Sequence, residues 1–93
     1  MKYEALRTVV GAKYSLEILE LLQAESPRNY SAIEDHIPAS SATIADRLHM
    51  LTEYELIGRD EKSQKDVQYF LTPRGETFLR DLEDLESVLL ESN

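Results

Sequence analysis

One short stretch constrains this chain more than any other: Ile37-Pro38-Ala39-Ser40-Ser41 and the segment behind it, residues 41–51. Proline disfavours the α region for the residue before it, so a helix arriving at Ile37 has to stop there. Ser40 or Ser41 then offers a side-chain oxygen to the free N–H groups of a new helix. In that second helix Ile44, Leu48 and Leu51 recur at i, i+4 and i+7, an apolar stripe that packs inward. Ala42, Thr43, Asp46, Arg47 and Met50 lie away from the stripe, most of them small or polar. Two helices joined by so few residues have helix-turn-helix spacing. A helix with one packed face and one slim, hydrogen-bonding face suits a groove of duplex DNA.

The segments on either side read as supports for this pair. Residues 2–10 form a short helix with Leu6, Val9 and Val10 on one side, and Gly11 permits a break. Residues 13–23 form a core helix, because Leu16, Ile18, Leu19, Leu21 and Leu22 give it a wide apolar face. Residues 24–29 are loop, and Ser31-Ala32-Ile33-Glu34 fits a capping box at the start of the helix that ends at Pro38. After the second helix, near Tyr54, residues 56–60 and 67–71 form two strands around the polar turn 61–66. Val67, Tyr69 and Leu71 alternate toward one face of this hairpin, the wing. Thr72-Pro73 places a threonine at the N-cap and a proline at the first position of a last helix, residues 74–90. There Phe78, Leu82, Leu85 and Leu89 step by four, three and four, an a/d pattern widened by Leu79, Val88 and Leu90. No later element of this sequence covers that stripe. We therefore expect a dimer contact through Phe78, Leu82, Leu85 and Leu89, with Leu6 and Val10 of the first helix alongside.

The expected fold is mainly α with a small β-hairpin (α+β), a winged helix-turn-helix in a single domain over residues 1–93. Residues 1–24 hold the dimer and core helices, 30–54 the helix-turn-helix, 56–71 the wing, and 73–91 the C-terminal dimerisation helix. Ninety-three residues are few for one core, and chains this short often gain stability by pairing with a copy of themselves. At 42% hydrophobic residues the chain is globular. It has no apolar run long enough to span a membrane, and its first residues do not resemble a signal peptide. With no cysteine there is no disulfide, thiol switch or zinc finger. The isolated His36 and His49 argue for structural or surface groups over a metal site, so no metal or cofactor is expected. No nucleophile–base pair or phosphate loop is visible, which argues against an enzyme. The expected location is the cytoplasm.

The charge opposes the simplest reading. Eighteen acids against ten bases give −8, where a DNA binder usually carries a basic footprint. The excess is uneven: three bases and four acids over residues 1–25, six and eight over 26–75, one and six over 76–93, hence −1, −2 and −5. Most of the acidity thus lies on the last helix. The acid-rich, lysine-poor surface resembles that of proteins of halophilic archaea, and a salt-adapted chain is one expectation from composition.

At residue level the chain resembles the HxlR-type (MarR-like) winged helix-turn-helix regulators over roughly residues 9–90. Gly11-Ala12-Lys13-Tyr14 is similar to the family's Gly-Lys-Trp start of the core helix, and Arg28-Asn29-Tyr30-Ser31-Ala32-Ile33 to its Arg-Phe-x-x-Leu segment. Ile37-Pro38, Ser41, Ile44, Arg47-Leu48 and Leu51 fall on the family's turn and second helix. Leu56-Ile57 and Arg59 look like its Gly-Leu-Ile-x-Arg start of the wing, and Val67-x-Tyr69-x-Leu71-Thr72-x-x-Gly75 like its Val-x-Tyr-x-Leu-Thr-x-x-Gly exit. The chain departs at Tyr14, in place of tryptophan, at Glu55, in place of glycine, and in lacking an N-terminal cysteine, so thiol sensing does not carry over. The resemblance implies a homodimeric transcription regulator, a repressor acting on double-stranded DNA, with any small-molecule effector unknown.

The candidate DNA contacts follow from chemistry and from that resemblance. Ser40, Ser41 and Thr43 sit at a helix N-terminus, where hydroxyls and free N–H groups suit phosphate. Arg47 has the reach for guanine or phosphate. Arg59, Lys62 and Lys65 are the cations of the wing, and Arg28 and Asn29 fall where family members touch phosphate. A rival reading, an acidic winged helix used as a protein–protein adaptor or antagonist, is favoured by the net charge and by Asp46 on the slim face.

Overall fold

The computed structural model describes residues 2–63 and 66–91. In chain order the elements are α1 (Glu4–Gly11), α2 (Ser15–Ala24), β1 (Arg28–Asn29), α3 (Tyr30–His36), α4 (Ser41–Glu53), β2 (Ile57–Ser63), β3 (Asp66–Leu71) and α5 (Pro73–Leu90). The strands form one antiparallel sheet in the order β1-β3-β2. Five helices and this sheet make the expected α+β winged helix-turn-helix.

Each helix boundary has a local cause. Ser40 accepts the Thr43 N–H at the start of α4, and Thr72 accepts the Gly75 N–H at the start of α5, with Pro73 in the first turn. The start of α3 corrects the expected capping box. Its N-cap is Asn29, whose side-chain oxygen accepts from the Ala32 N–H at 2.8 Å. Glu34 instead accepts a hydrogen bond from the Ser41 hydroxyl and so ties α3 to α4. Asn29 also pairs in β1, a strand too short to show any alternation, in a stretch expected to be loop. The break after α1 differs as well. Gly11 ends that helix without a positive φ, and Tyr14, at φ 74°, takes the left-handed position that starts α2.

At its C-terminus α4 closes in a Schellman motif. The Leu56 N–H bonds the Leu51 carbonyl at 3.0 Å and the Glu55 N–H bonds Thr52 at 2.9 Å, with Glu55 at φ 61° between them. That left-handed position favours glycine, the residue that the sequence resemblance leads one to expect there. The Leu56 carbonyl then accepts from the Thr72 N–H and hydroxyl, at 3.1 and 3.0 Å. Gly75 lies directly against it: a Cβ there would be 2.1 Å from the Leu56 oxygen. The wing and α5 are therefore welded to the end of α4. Ser26 adds a second weld, donating to the Leu22 carbonyl and accepting from the Leu71 N–H.

The core gathers Ile18, Leu19 and Leu22 of α2, Ile33, then Ile44, Leu48 and Leu51 of α4, and Leu56, Ile57 and Leu79, all nearly or fully buried. Leu79, expected to widen the exposed stripe of α5, belongs to this core. The molecule measures 52 × 26 × 23 Å with a radius of gyration of 14.0 Å, against about 12 Å for a compact chain of this length. An 18-residue helix is roughly 27 Å long. The last turns of α5, with Leu85, Val88, Leu89 and Leu90 exposed, leave the body of the protein.

Candidate nucleic-acid interface

The inward stripe of α4 fixes what the helix shows to solvent. With Ile44, Leu48 and Leu51 buried, the exposed residues are Ser41, Ala42, Ala45, Asp46, His49 and Glu53. This face is narrow because two of its central side chains are methyl groups. Its N-terminal turn is braced by Tyr30, whose hydroxyl donates to the Ser41 carbonyl at 2.7 Å. The hydroxyls expected to contact DNA already have partners here. Ser40 caps the helix and donates to the Thr43 hydroxyl at 3.0 Å, and Ser41 donates to Glu34. Thr43 is half-buried.

Arg47 has one partner adjacent to it in sequence, Asp46, and one that the sequence did not reveal. Its Nε donates to the Lys13 carbonyl at 2.8 Å, across from α4 to the turn between α1 and α2, and its Nη1 to Asp46 at 2.6 Å. Its side chain is 22% exposed.

The sheet supplies a second group of cations. Tyr69 on the middle strand stands opposite Arg28 on one side and Arg59 on the other, and residues directly opposite share a face of the sheet. A hydrogen bond to Tyr69, with Glu61 adding attraction, raises the Arg59 pKa above the ordinary arginine value. This face and α4 enclose a cleft of about 270 Å³ lined by Tyr30, Ala45, His49, Thr52, Arg59 and Tyr69. Of these lining residues only Arg59 was a candidate DNA contact from the sequence. Ala45 and His49 fall opposite the apolar stripe, and that periodicity was the signal for them. Lys62 lies on β2, exposed, 3.6 Å from Asp60. Lys65 lies outside the described residues.

These cations carry their own counter-charges. Arg28 pairs with Glu25, Arg47 with Asp46, Arg59 with Glu61 and Lys62 with Asp60. Part of the acidity of the sequence is thus interleaved with the basic groups at the reading head.

The groups expected at a dimer contact divide between two depressions. Leu6, Val10, Leu82, Leu85 and Leu89 line one groove of about 610 Å³ between α1 and α5, together with Tyr3 and Leu16. Phe78 lies in the neighbouring depression, with Leu6, Val9, Tyr54 and Leu56, and packs partly on the core. Among the described residues no cluster of side chains is arranged to hold a metal ion, and no helix is long and apolar enough to cross a membrane.

A profile of the HxlR-like helix-turn-helix family matches residues 9–91. Among solved structures, the reduced form of the transcriptional regulator YodB from B. subtilis is 24% identical, with a TM-score of 0.79, over 92% of this chain and 86% of that one. A putative HTH-type transcriptional regulator, ytcD, is 23% identical, with a TM-score of 0.81, over 94% and 91% of the two chains. A putative MarR-family regulator from Porphyromonas gingivalis is 22% identical, with a TM-score of 0.77, over 99% and 92%. At such identities these likenesses speak to the fold. No curated protein sequence matches the chain.

Proposed function

Because the chain belongs to the HxlR-like helix-turn-helix family and so is a DNA-binding regulator of transcription, we propose that it acts as a homodimer that reads a specific duplex site and represses the adjoining gene. The observation that carries this reading is the exposed face of α4, slimmed by Ala42 and Ala45 and flanked by the Arg28–Tyr69–Arg59 row of the sheet. Small apolar side chains let a helix seat deep in the major groove and suit thymine methyl groups. The N-terminus of α4, with Ser40, Ser41 and Thr43 around it, takes a phosphate. Arg28, Asn29 and Arg59 take phosphates beside the groove, and Lys62 and Lys65 extend the wing along the flanking backbone.

The second copy is the partner for the groove between α1 and α5. In a two-fold dimer the α4 helices enter successive major grooves about 34 Å apart on a pseudo-palindrome. Occlusion of the transcription machinery then accounts for repression, and a cytoplasmic location goes with the reading. Selection of duplexes from a random pool, followed by footprinting, tests it. A recurrent pseudo-palindrome protected over two half-sites is expected; a pool that stays random after repeated rounds contradicts it.

One observation favours a second reading. The carboxylates that pair with Arg28, Arg59 and Lys62 are placed as a competing anionic partner would be, which suits an acidic adaptor for another regulator. A protein captured only through a basic partner, with no DNA selected, would favour that alternative.

A further inference from the structure

Arg47 is the one cation of the reading helix that is mostly buried, and its Nε bonds a neighbouring segment, at the Lys13 carbonyl, while its Nη1 bonds Asp46 on the exposed face. We propose that Arg47 is a positioning residue: it locks α4 to the turn between α1 and α2, and so sets the separation and angle at which two reading helices meet DNA. The assignment rests on the dimeric DNA-reading function proposed above.

The Arg47 Nε donates to the carbonyl of Lys13, 34 positions away in the chain. Lys13 belongs to the turn between Gly11 and Ser15, which is itself held in shape. The Ser15 N–H bonds the Ala12 carbonyl at 3.1 Å, Tyr14 is left-handed, and the Lys13 amine lies 5.1 Å from the centre of the Tyr14 ring. Immediately before this turn stands α1, which carries Leu6 and Val10 on the apolar groove shared with α5. One guanidinium therefore joins the helix that reads to the helix that would pair. Asp46 takes a second N–H of the same planar group. Two bonds at fixed angles hold a guanidinium in orientation, as a single lysine ammonium does not. This also gives Asp46 a role on a face otherwise poorly suited to an acid. Arg47 thus acts on DNA through α4 and not by touching it.

A salt series and a spacing series together test the assignment. Duplexes enriched by the wild-type protein are resynthesised with half-site spacing changed by one and two base pairs, and affinities for wild type, R47A and R47K are measured across salt concentrations. The expected result for R47A is a loss of about tenfold or more on the optimal duplex, a flattened spacing preference, and an unchanged salt slope. R47K keeps one donor and is expected to fall between. A slope reduced by about 1.8 for the dimer, about 0.9 for each phosphate no longer neutralised, with the spacing optimum kept, overturns the proposal in favour of direct contact. Unchanged affinity, slope and spacing in both variants also overturn it. If circular dichroism shows R47A unfolded, R47K decides by the same two readouts. Failure of the wild type to select any duplex is a different result, and it removes the DNA-reading function together with this assignment.

Discussion

Glu55 and Gly75 are two residues at which the backbone dictates the side chain. Glu55 sits at φ 61° in the Schellman close of α4, where a side chain costs about 1 kcal/mol or more relative to glycine. Glu55→Gly is therefore expected to stabilise the protein by about 0.5–1 kcal/mol, since glycine also loses more freedom on folding. Urea denaturation measures this, and a destabilised variant would contradict the assignment of strain. At Gly75 the space is missing, because a Cβ would overlap the Leu56 carbonyl and the Leu71 side chain. Gly75→Ala is expected to cost about 1–3 kcal/mol, the range for overpacking against fixed atoms. An unchanged midpoint in the same measurement would show that α5 is free to move off Leu56. At this scale the sequence was legible where a residue acts on its own neighbours: Ser40 and Thr72 cap the helices that follow them. It was not legible where the partner comes from afar. Glu34 fitted a local capping box and bonds Ser41 instead, and nothing around Arg47 in sequence announces the Lys13 carbonyl.

The elements were easier to read than their ends, because periodicity reports burial over many residues at once. The stripe Ile44, Leu48, Leu51 is buried as expected and α5 starts where Thr72-Pro73 put it, but the strands of the hairpin run on to Ser63 and start again at Asp66, through most of the stretch 61–66 expected as a turn. Two residues of β1 carry no period, and Asn29 both pairs and caps, so that strand was hidden. In α5 the a/d pattern correctly gave an apolar face, but could not say where the protein's own core stops. Leu79 is covered by the chain itself, Phe78 and Leu82 partly so, and Leu85 and Leu89 are 51% and 80% exposed. The last two leucines accordingly belong to the proposed pairing and not to the fold. Changing Leu85 and Leu89 together to glutamate is expected to give a folded monomer, seen as a halved mass in light scattering with helical content kept. A dimer of unchanged mass would move the interface elsewhere.

Over the whole molecule, the net charge of −8 and the pairing of Arg28, Arg59 and Lys62 with nearby acids decide how the protein meets a polyanion. The pairs of Arg59 and Lys62 are exposed, and exposed pairs are worth about 0–1 kcal/mol each, so phosphates displace their carboxylates at small cost, but the displaced acids remain near the backbone. Arg28 is largely buried, while its partner Glu25 is exposed. Replacing Glu25 and Glu61 by glutamine removes two such charges per chain. It is expected to tighten DNA binding about tenfold at moderate salt, given about 1 kcal/mol for two charges 4 Å apart in water before screening. Weaker binding in the double variant would show that the acids orient the arginines for contact. Composition made the excess of acid plain, and its interleaving with the basic groups was legible too, because Arg28 and Glu25, Arg59 and Glu61, and Lys62 and Asp60 are close neighbours in the chain; only the alignment of Arg28 with Arg59 across Tyr69 needed the folded sheet. In the proposed function this acidic chain reads duplex DNA directly. Fluorescence anisotropy of a selected duplex against a scrambled one, from low to multi-molar potassium chloride, tests it in one titration series. Saturable binding that prefers the selected duplex is the predicted result. A folded, dimeric protein with no preference at any salt would contradict the account.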